Sequence, residues 1–260
     1  MKKQFVLLVG LSLILASCAK KTAAVIKKDV PVATAPATAA TTKSDDKAVS
    51  ILKGYIDAIG GKEKLMTVKS MMTKMTATTA MGDLAITQYM KDGKSMMKTE
   101  MGGSVVMEQI FDGTTLQVSG MGGKQNMTDE KSIAGARKQA RPFDELDQLL
   151  SDKSIKKFLG TEDLNGVKVN KVSTLDPDKN ETTQYFDVTS NLLLRTISTT
   201  DAMGQKATQT IDMSDYKDVS GVKFPHSIKL TGGSVPFPLD MKIAAMMINS
   251  DLPDQLFKIN

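Results

Sequence analysis

The sequence predicts a mainly β protein of the α+β kind, built as a single curled antiparallel sheet of about ten strands with helices covering one side. Three observations carry that expectation. Apolar and polar residues alternate with a period of two, the strand period, through most of residues 69–248. The runs are separated by Asp92-Gly93, Gly102-Gly103, Asp112-Gly113, Asn165-Gly166 and Ser220-Gly221, pairs that supply the positive φ a tight hairpin needs. Apolar residues at helical spacing occur just before the first strand and again midway along the chain.

At 260 residues, 41% apolar and 24% charged, the chain has a soluble globular make-up and enough apolar residues for a sizeable core. Residues 1–17 are a separate unit. Lys2 and Lys3 precede an apolar run over residues 5–15, too short for a permanent membrane span, which is the pattern of a signal peptide. Leu15-Ala16-Ser17-Cys18 closes that run and resembles the bacterial lipobox. The resemblance implies cleavage before Cys18, acylation of its thiol and amine by palmitate-like chains, and a protein tethered to a membrane. Two or three such chains hold stably where one is marginal, at about 0.8 kcal/mol per buried methylene. Cys18 is the only cysteine, so no internal disulfide can form.

Residues 18–47 read as the lipidated cysteine and a flexible tether. The stretch VATAPATAATT (residues 32–42) and the lack of any aromatic residue leave too little apolar surface to order it. Its coil dimension gives a reach of roughly 30 Å. The net charge of +5 sits here: residues 1–48 hold eight Lys and three Asp, and the rest of the chain sums to zero. The basic excess therefore belongs to the leader and tether, where Lys20, Lys21, Lys27 and Lys28 can touch anionic headgroups. It gives no support to a nucleic-acid partner.

The folded domain is expected over residues 48–260. Ser44-Asp45-Asp46 offers caps to a helix whose stripe is Val49, Leu52, Ile56 and Ile59, and Gly60-Gly61 ends it. Residues 62–68 add a turn with Leu65 and Met66 inward. Five strands follow, at residues 69–80, 83–91, 94–101, 104–111 and 114–119. Ten of the eighteen methionines lie between Met66 and Met107, and Trp is absent. By parity Met71, Met75, Leu84, Ile86, Met90, Met97, Met101, Val105, Met107 and Phe111 share one face. Met72, Met96, Val106 and Ile110 take the other. Unbranched thioethers re-pack around irregular shapes, so the first face is a candidate lining for a flexible apolar ligand. Plain core filling is the other reading of the same residues.

Ile133, Ala136, Arg137 and Ala140 are spaced as one helix, Pro142 interrupts it, and Phe143, Leu146, Leu149 and Leu150 continue at helical spacing. A second meander then starts with strands at residues 154–162 and 166–174. Residues 181–230 supply four more, turning at Thr189-Ser190-Asn191, at residues 202–205 and at Ser220-Gly221. A last strand covers residues 239–248, and Leu256 and Phe257 dock in a closing turn.

Catalytic chemistry has few parts to work with. The chain has one histidine, His226, and no HExxH or CxxC spacing, so no His-based triad, metal site or cofactor is expected. Gly120-Met121-Gly122-Gly123-Lys124 lacks the spacing of a phosphate loop. Asp187, Asp201, Asp212, Asp215 and Asp218 sit mostly at strand ends, where turn roles account for them. Arg195, one of three arginines, lies mid-strand and is expected to pair with an acid across the sheet or with a ligand headgroup.

The stretch YFDVTSNLLLR (residues 185–195), followed by DYKDVSGVKFPHSI (residues 215–228), resembles the outer-membrane lipoprotein-sorting family, the LolA- and LolB-like half-barrels, and the related mycobacterial lipid-binding lipoproteins. The stretch ILKGYIDAIGGKEKLMTVKSM (residues 51–71) is similar to the start of the non-catalytic domain that follows insulinase-type peptidase units in Bacteroidetes-like proteins. Together the similarity covers about residues 48–258. It implies a LolA-like half-barrel whose concave, helix-plugged face holds acyl chains; the methionine-rich face, with Arg195 as a further candidate, is the lining that the residues themselves offer for them. The peptidase metal motif is absent, so proteolysis is not carried over. Unlike a shuttling carrier, this chain is itself expected to be lipid-anchored, and it lacks Trp. The expectation is therefore a non-enzymatic lipoprotein of the bacterial outer membrane, facing the periplasm or displayed on the surface. It would bind lipid or lipoprotein acyl chains. The alternative is a protein-interaction module of a peptidase-associated envelope complex.

Overall fold

The structure, a computed structural model, describes residues 43–259 except 80–81, 121, 142, 144–145, 147–148, 178, 203–204 and 234–237. The signal peptide, Cys18, most of the tether, Pro142 and the centre of the turn at residues 202–205 lie outside the described residues. Two helices open the domain, α1 (Asp46–Ala58) and α2 (Lys62–Leu65). Six strands follow: β1 (Ser70–Thr79), β2 (Gly82–Lys91), β3 (Lys94–Met101), β4 (Ser104–Phe111), β5 (Leu116–Gly120) and β6 (Gly123–Met127). Helix α3 (Glu130–Gln139) leads to β7 (Ile155–Leu164), β8 (Val167–Leu175), β9 (Glu181–Asp187) and β10 (Leu193–Ala202). Then come β11 (Gln205–Val219), β12 (Val222–Gly232), β13 (Leu239–Ile248) and a 3-10 turn, Asp254–Phe257.

All thirteen strands form one open antiparallel sheet, in the order β6-β5-β4-β3-β2-β1-β13-β12-β11-β10-β9-β8-β7. The strand number exceeds the expected figure of about ten; twelve segments read as strands in the sequence, and the structure adds one more. The added strand is β6, whose Gly-Lys-Gln-Asn-Met is exposed along almost its whole length and so carries no alternation. Gly120–Lys124, which the sequence presents only as a failed phosphate loop, contains the hairpin between β5 and β6. The two meanders are joined by the last strand: β13 pairs with β1 on one side and β12 on the other.

Four of the five expected turn pairs follow their sequence chemistry; at Asp112-Gly113 only Gly113 has positive φ, and the Asp112 carboxylate accepts from the Thr114 and Thr115 N–H groups. Asp92-Gly93, Gly102-Gly103, Asn165-Gly166 and Ser220-Gly221 have positive φ at both residues, the type I′ pattern whose twist matches antiparallel strands. Asp187 accepts from the Thr189 N–H and the Ser190 hydroxyl, and Asp218 accepts from the Gly221 N–H, as turn carboxylates do.

The inner face of the sheet carries one large core, covered by α1, α2 and the segment that carries Phe143. Helix α1 buries the expected Leu52, Ile56 and, at its end, Ile59, together with Ala48, Ile51 and Tyr55, while Val49 is only half-buried. Gly60 and Gly61 donate to Asp57 and Ile56 to end it. A Cβ at Gly60, where φ is +137°, would lie 2.8 Å from the Gly221 carbonyl, so only glycine lets α1 close on the β11–β12 turn. Leu65 is fully buried but Met66 is 42% exposed, against the expectation that both turn inward. Phe143, Leu146 and Leu149 insert into the same core, Phe143 against the Phe224 ring. Helix α3, capped by Asp129 on the Ser132 N–H, covers a second cluster of Phe111, Leu116, Ile133, Ala136 and Ala140. The outer face is covered locally: Leu252 and Phe257 bury Met72, with Tyr89, Met96 and Leu256 packed around them. Lys91 fixes that clasp by donating to the Leu252 carbonyl and to Asp254.

The start of the domain is stitched to the β7 edge. Asp45 precedes α1 but does not cap it through its side chain, because its carboxylate accepts from the Phe158 N–H and from Lys157. The Ser44 hydroxyl accepts from the Lys156 N–H, and the Asp45 N–H donates to the Lys156 carbonyl at 2.9 Å. The first residues of the β7 edge, Lys156–Phe158, are thereby paired rather than left as a free ladder.

Tyr55 of α1 meets Phe186 of β9 with ring centroids 5.5 Å apart. Its hydroxyl interacts with that of Tyr216, which donates to the Leu193 carbonyl at 2.7 Å. Burial pushes the Tyr55 phenol up to about 12, and that of Tyr216 well above its ordinary value. A phenol whose pKa rises on folding holds its proton more tightly in the native state. Its contribution is complete below pH ~10 and is lost as pH rises from 10 through 12, by about 2–3 kcal/mol for Tyr55. Tyr55→Phe is expected to flatten the alkaline limb of urea-denaturation midpoints over that window while costing about 1 kcal/mol at neutral pH. An unchanged limb would show that the phenol titrates normally in the native state.

Candidate functional site

The inner wall of the first meander is set by register. Met71 stands opposite Met90 and Met75 opposite Ile86, with Ala77 opposite Leu84 in the same ladder. Across the next ladder Leu84 faces Met101, Ile86 faces Thr99 and Gln88 faces Met97. Seven of the residues expected to line a ligand, Met71, Met75, Leu84, Ile86, Met90, Met97 and Met107, belong to or pack on one inner cluster. Met101 is half-buried at the end of the same row. Phe111 lies instead in the separate cluster under α3. A bulge between Thr99 and Glu100 shifts the β3–β4 register, so Val105 pairs with outward-facing Glu100 and is 54% exposed. Parity alone places it inside.

Arg195 takes the first of the two roles open to it in the sequence. It pairs with Asp212 directly across β10–β11, and the adjacent carboxylate holds the guanidinium pKa above its ordinary value. Asp212 sits between Ile211 and Met213, both in the inner core, so the pair faces outward. The register continues Arg195–Asp212–Lys229–Asp240, a row of alternating charge over β10–β13 on the outer face. Such a row favours one pairing register over its neighbours.

Polar residues interrupt the apolar inner wall. Thr73 and Gln88 are paired across β1 and β2, each at least nine-tenths buried. Thr99, Thr174, Gln184 and Thr196 occupy the same face by register with residues of the core. The hydroxyls of Thr73, Thr99, Thr174 and Thr196 and the side-chain oxygen of Gln184 are buried without a hydrogen-bond partner among the described residues. Buried polar atoms are normally paired, and these five fall in two places, Thr73 and Thr99 on the first meander and Thr174, Gln184 and Thr196 on β8–β10. The sequence offers no signal for this, since a Thr in a strand is equally at home on either face.

A cavity of about 20 Å³ opens on this wall between β2, β1, β13 and β12. Its sides are Met71, Met75, Phe224, Pro225, Ile228, Ile243 and Met246, with Thr73 and Gln88 as the polar members. His226 lies beside it in sequence but is already satisfied: its Nδ1 is 3.0 Å from the Phe224 carbonyl, which can only accept, so Nδ1 carries the proton. Among the described residues no group of three or more His, Cys, Asp or Glu side chains is placed to hold a metal ion. No described helix is long and apolar enough to cross a membrane.

The sequence matches no family model, and no curated protein is significantly similar to it. Solved structures do share its fold. A DUF1329 family protein from Desulfovibrio piger superposes with a TM-score of 0.56 at 9% identity, covering 82% of this chain and 98% of that one. A LolA superfamily protein from Nitrosomonas europaea gives 0.52 at 12% identity, covering 82% and 97%. A putative outer membrane lipoprotein-sorting protein domain from Vibrio parahaemolyticus gives 0.52 at 12% identity, covering 82% and 96%. The chain has the LolA-like half-barrel fold.

Proposed function

We propose that this protein is a membrane-tethered lipoprotein of the bacterial envelope that binds acyl chains of lipids or lipoproteins on the inner wall of its half-barrel, without catalysing a reaction. The observation that carries the reading is the inner face itself: methionine-rich in the first meander, covered by α1 and by Phe143, Leu146 and Leu149, and carrying across both meanders five buried polar atoms that have no partner among the described residues. An acyl lipid is the ligand type that supplies both a long flexible apolar chain and hydrogen-bonding linkages. Methionine tolerates such a chain because its three rotatable bonds re-pack at little cost. The lipobox-like Leu15–Cys18 and the tether give the address, and the fold shared with a putative lipoprotein-sorting domain is in keeping with it.

Native mass spectrometry of residues 19–260, exported to the periplasm behind a cleavable signal peptide that lacks the lipobox cysteine, tests the reading. The expected spectrum shows adducts of acyl-lipid mass that exchange with added phospholipid. A uniformly empty protein that takes up no acyl lipid would remove the proposal.

A further inference from the structure

The cavity at the centre of the inner wall combines two features: space, and a buried hydroxyl with no partner among the described residues. Thr73 is 3% exposed, lines the cavity, and its Oγ1 has no partner among the described residues. Gln88 stands opposite it across the β1–β2 ladder and lines the same space. None of the nine lining residues carries an ionisable side chain. The volume, about 20 Å³, is that of a single water site, and Thr73 and Gln88 are the two polar side chains in a lining that is otherwise apolar. Three of the apolar members, Met71, Met75 and Met246, are unbranched thioethers on adjacent strands, the side chains best able to swing aside and enlarge the space.

Resting on the acyl-chain reading above, we infer that this cavity is a polar subsite for the uncharged ester or amide linkage of the ligand, with the Thr73 hydroxyl donating to its carbonyl oxygen. The charge state follows from the lining. An ionised carboxylate placed here would be desolvated with no cation to meet it, so the free fatty acid is disfavoured against its ester. A carbonyl asks only for a donor, which Thr73 has to give. The same chemistry arises in a phospholipid and in the diacyl anchor of a lipoprotein.

Residues 19–260 contain every described element of the sheet and its core and are the form to test. Displacement of a fluorescent acyl probe would be measured with three chain-matched competitors: a fatty-acid methyl ester, the free acid above pH 8, and the alkane. The ester is expected to compete best. Thr73→Val keeps the shape and removes the donor, and is expected to weaken ester binding by about 3- to 10-fold while leaving alkane binding unchanged. Thr73→Ser should restore the ester preference. In the ligand-free protein Thr73→Val should raise Tm, because an unpaired buried hydroxyl is removed. A lowered Tm would mean that the hydroxyl is already satisfied, and overturns the subsite, as does an ester-to-alkane ratio that Thr73→Val leaves unchanged. If none of the competitors displaces the probe from the wild-type protein, the acyl-chain reading itself falls and the subsite with it. Competition by phosphatidylcholine against a diacylated lipopeptide then tells which source of the linkage the wall prefers.

Discussion

Phe186→Ala is expected to cost about 3–5 kcal/mol, the range for emptying a buried aromatic site, and so to destabilise the fold several times more than Tyr55→Phe does. Phe186 is completely buried on β9, where it meets the Tyr55 ring and joins the core that runs from β3 to β8. Its loss removes both the apolar contact and the ring pair that seats α1 on the second meander. For a domain of this size each kcal/mol moves Tm by about 2–4 °C, so calorimetry should show a drop on the order of 10 °C or more. Since whole domains are stable by only about 5–15 kcal/mol, the variant should also be sensitive to proteolysis. A loss below about 1 kcal/mol would mean that α1 is not held against β9 in solution.

A charge on the inner wall should have the largest effect on binding. Met107 is half-buried and packs against the inner cluster near the edge of the wall. In Met107→Lys the long stem can keep its ammonium in water, so the fold should lose no more than about 1 kcal/mol. An acyl chain laid on the wall would have to displace that water and bury the charge unpaired, which should lower affinity by at least about 10-fold. Met247→Lys is the control: Met247 is 47% exposed on the outer face, and both binding and stability should stay as in the wild type. Equal affinities for the two variants would place any acyl ligand away from the first meander's wall.

Met107 also marks how far strand parity can be followed. Parity assigns it to the inner face, and the assignment holds because no irregularity intervenes between it and Phe111. Two residues earlier parity fails, since the bulge at Thr99/Glu100 inserts a residue and turns Val105 outward. A bulge opposite a plain Val-Val-Met run has no local signature. The usual capping preference makes Asp45 a cap for α1, but a stronger set of donors on β7, 113 residues away, claims its carboxylate. Apolar character alone puts Met66 inside. Helix α2 is only one turn long, and Leu65 fills its inward side.

By itself the sequence determined the strand-and-turn rhythm, the place of α1, α2 and α3, the bounds of β13 and the concentration of methionine in the first meander. These depend on side-chain alternation and on turn dihedrals, both of which act over a few residues. Tertiary structure alone decided that β13 closes the two meanders into one sheet and that Arg195 faces outward onto Asp212. It also decided that Thr73, an ordinary strand threonine in the sequence, stands buried beside a cavity with no partner among the described residues. Each of these outcomes turns on which distant strand becomes the neighbour. Pairing of that kind is fixed by the burial of a whole face, a property of the assembled sheet that no short window of sequence contains.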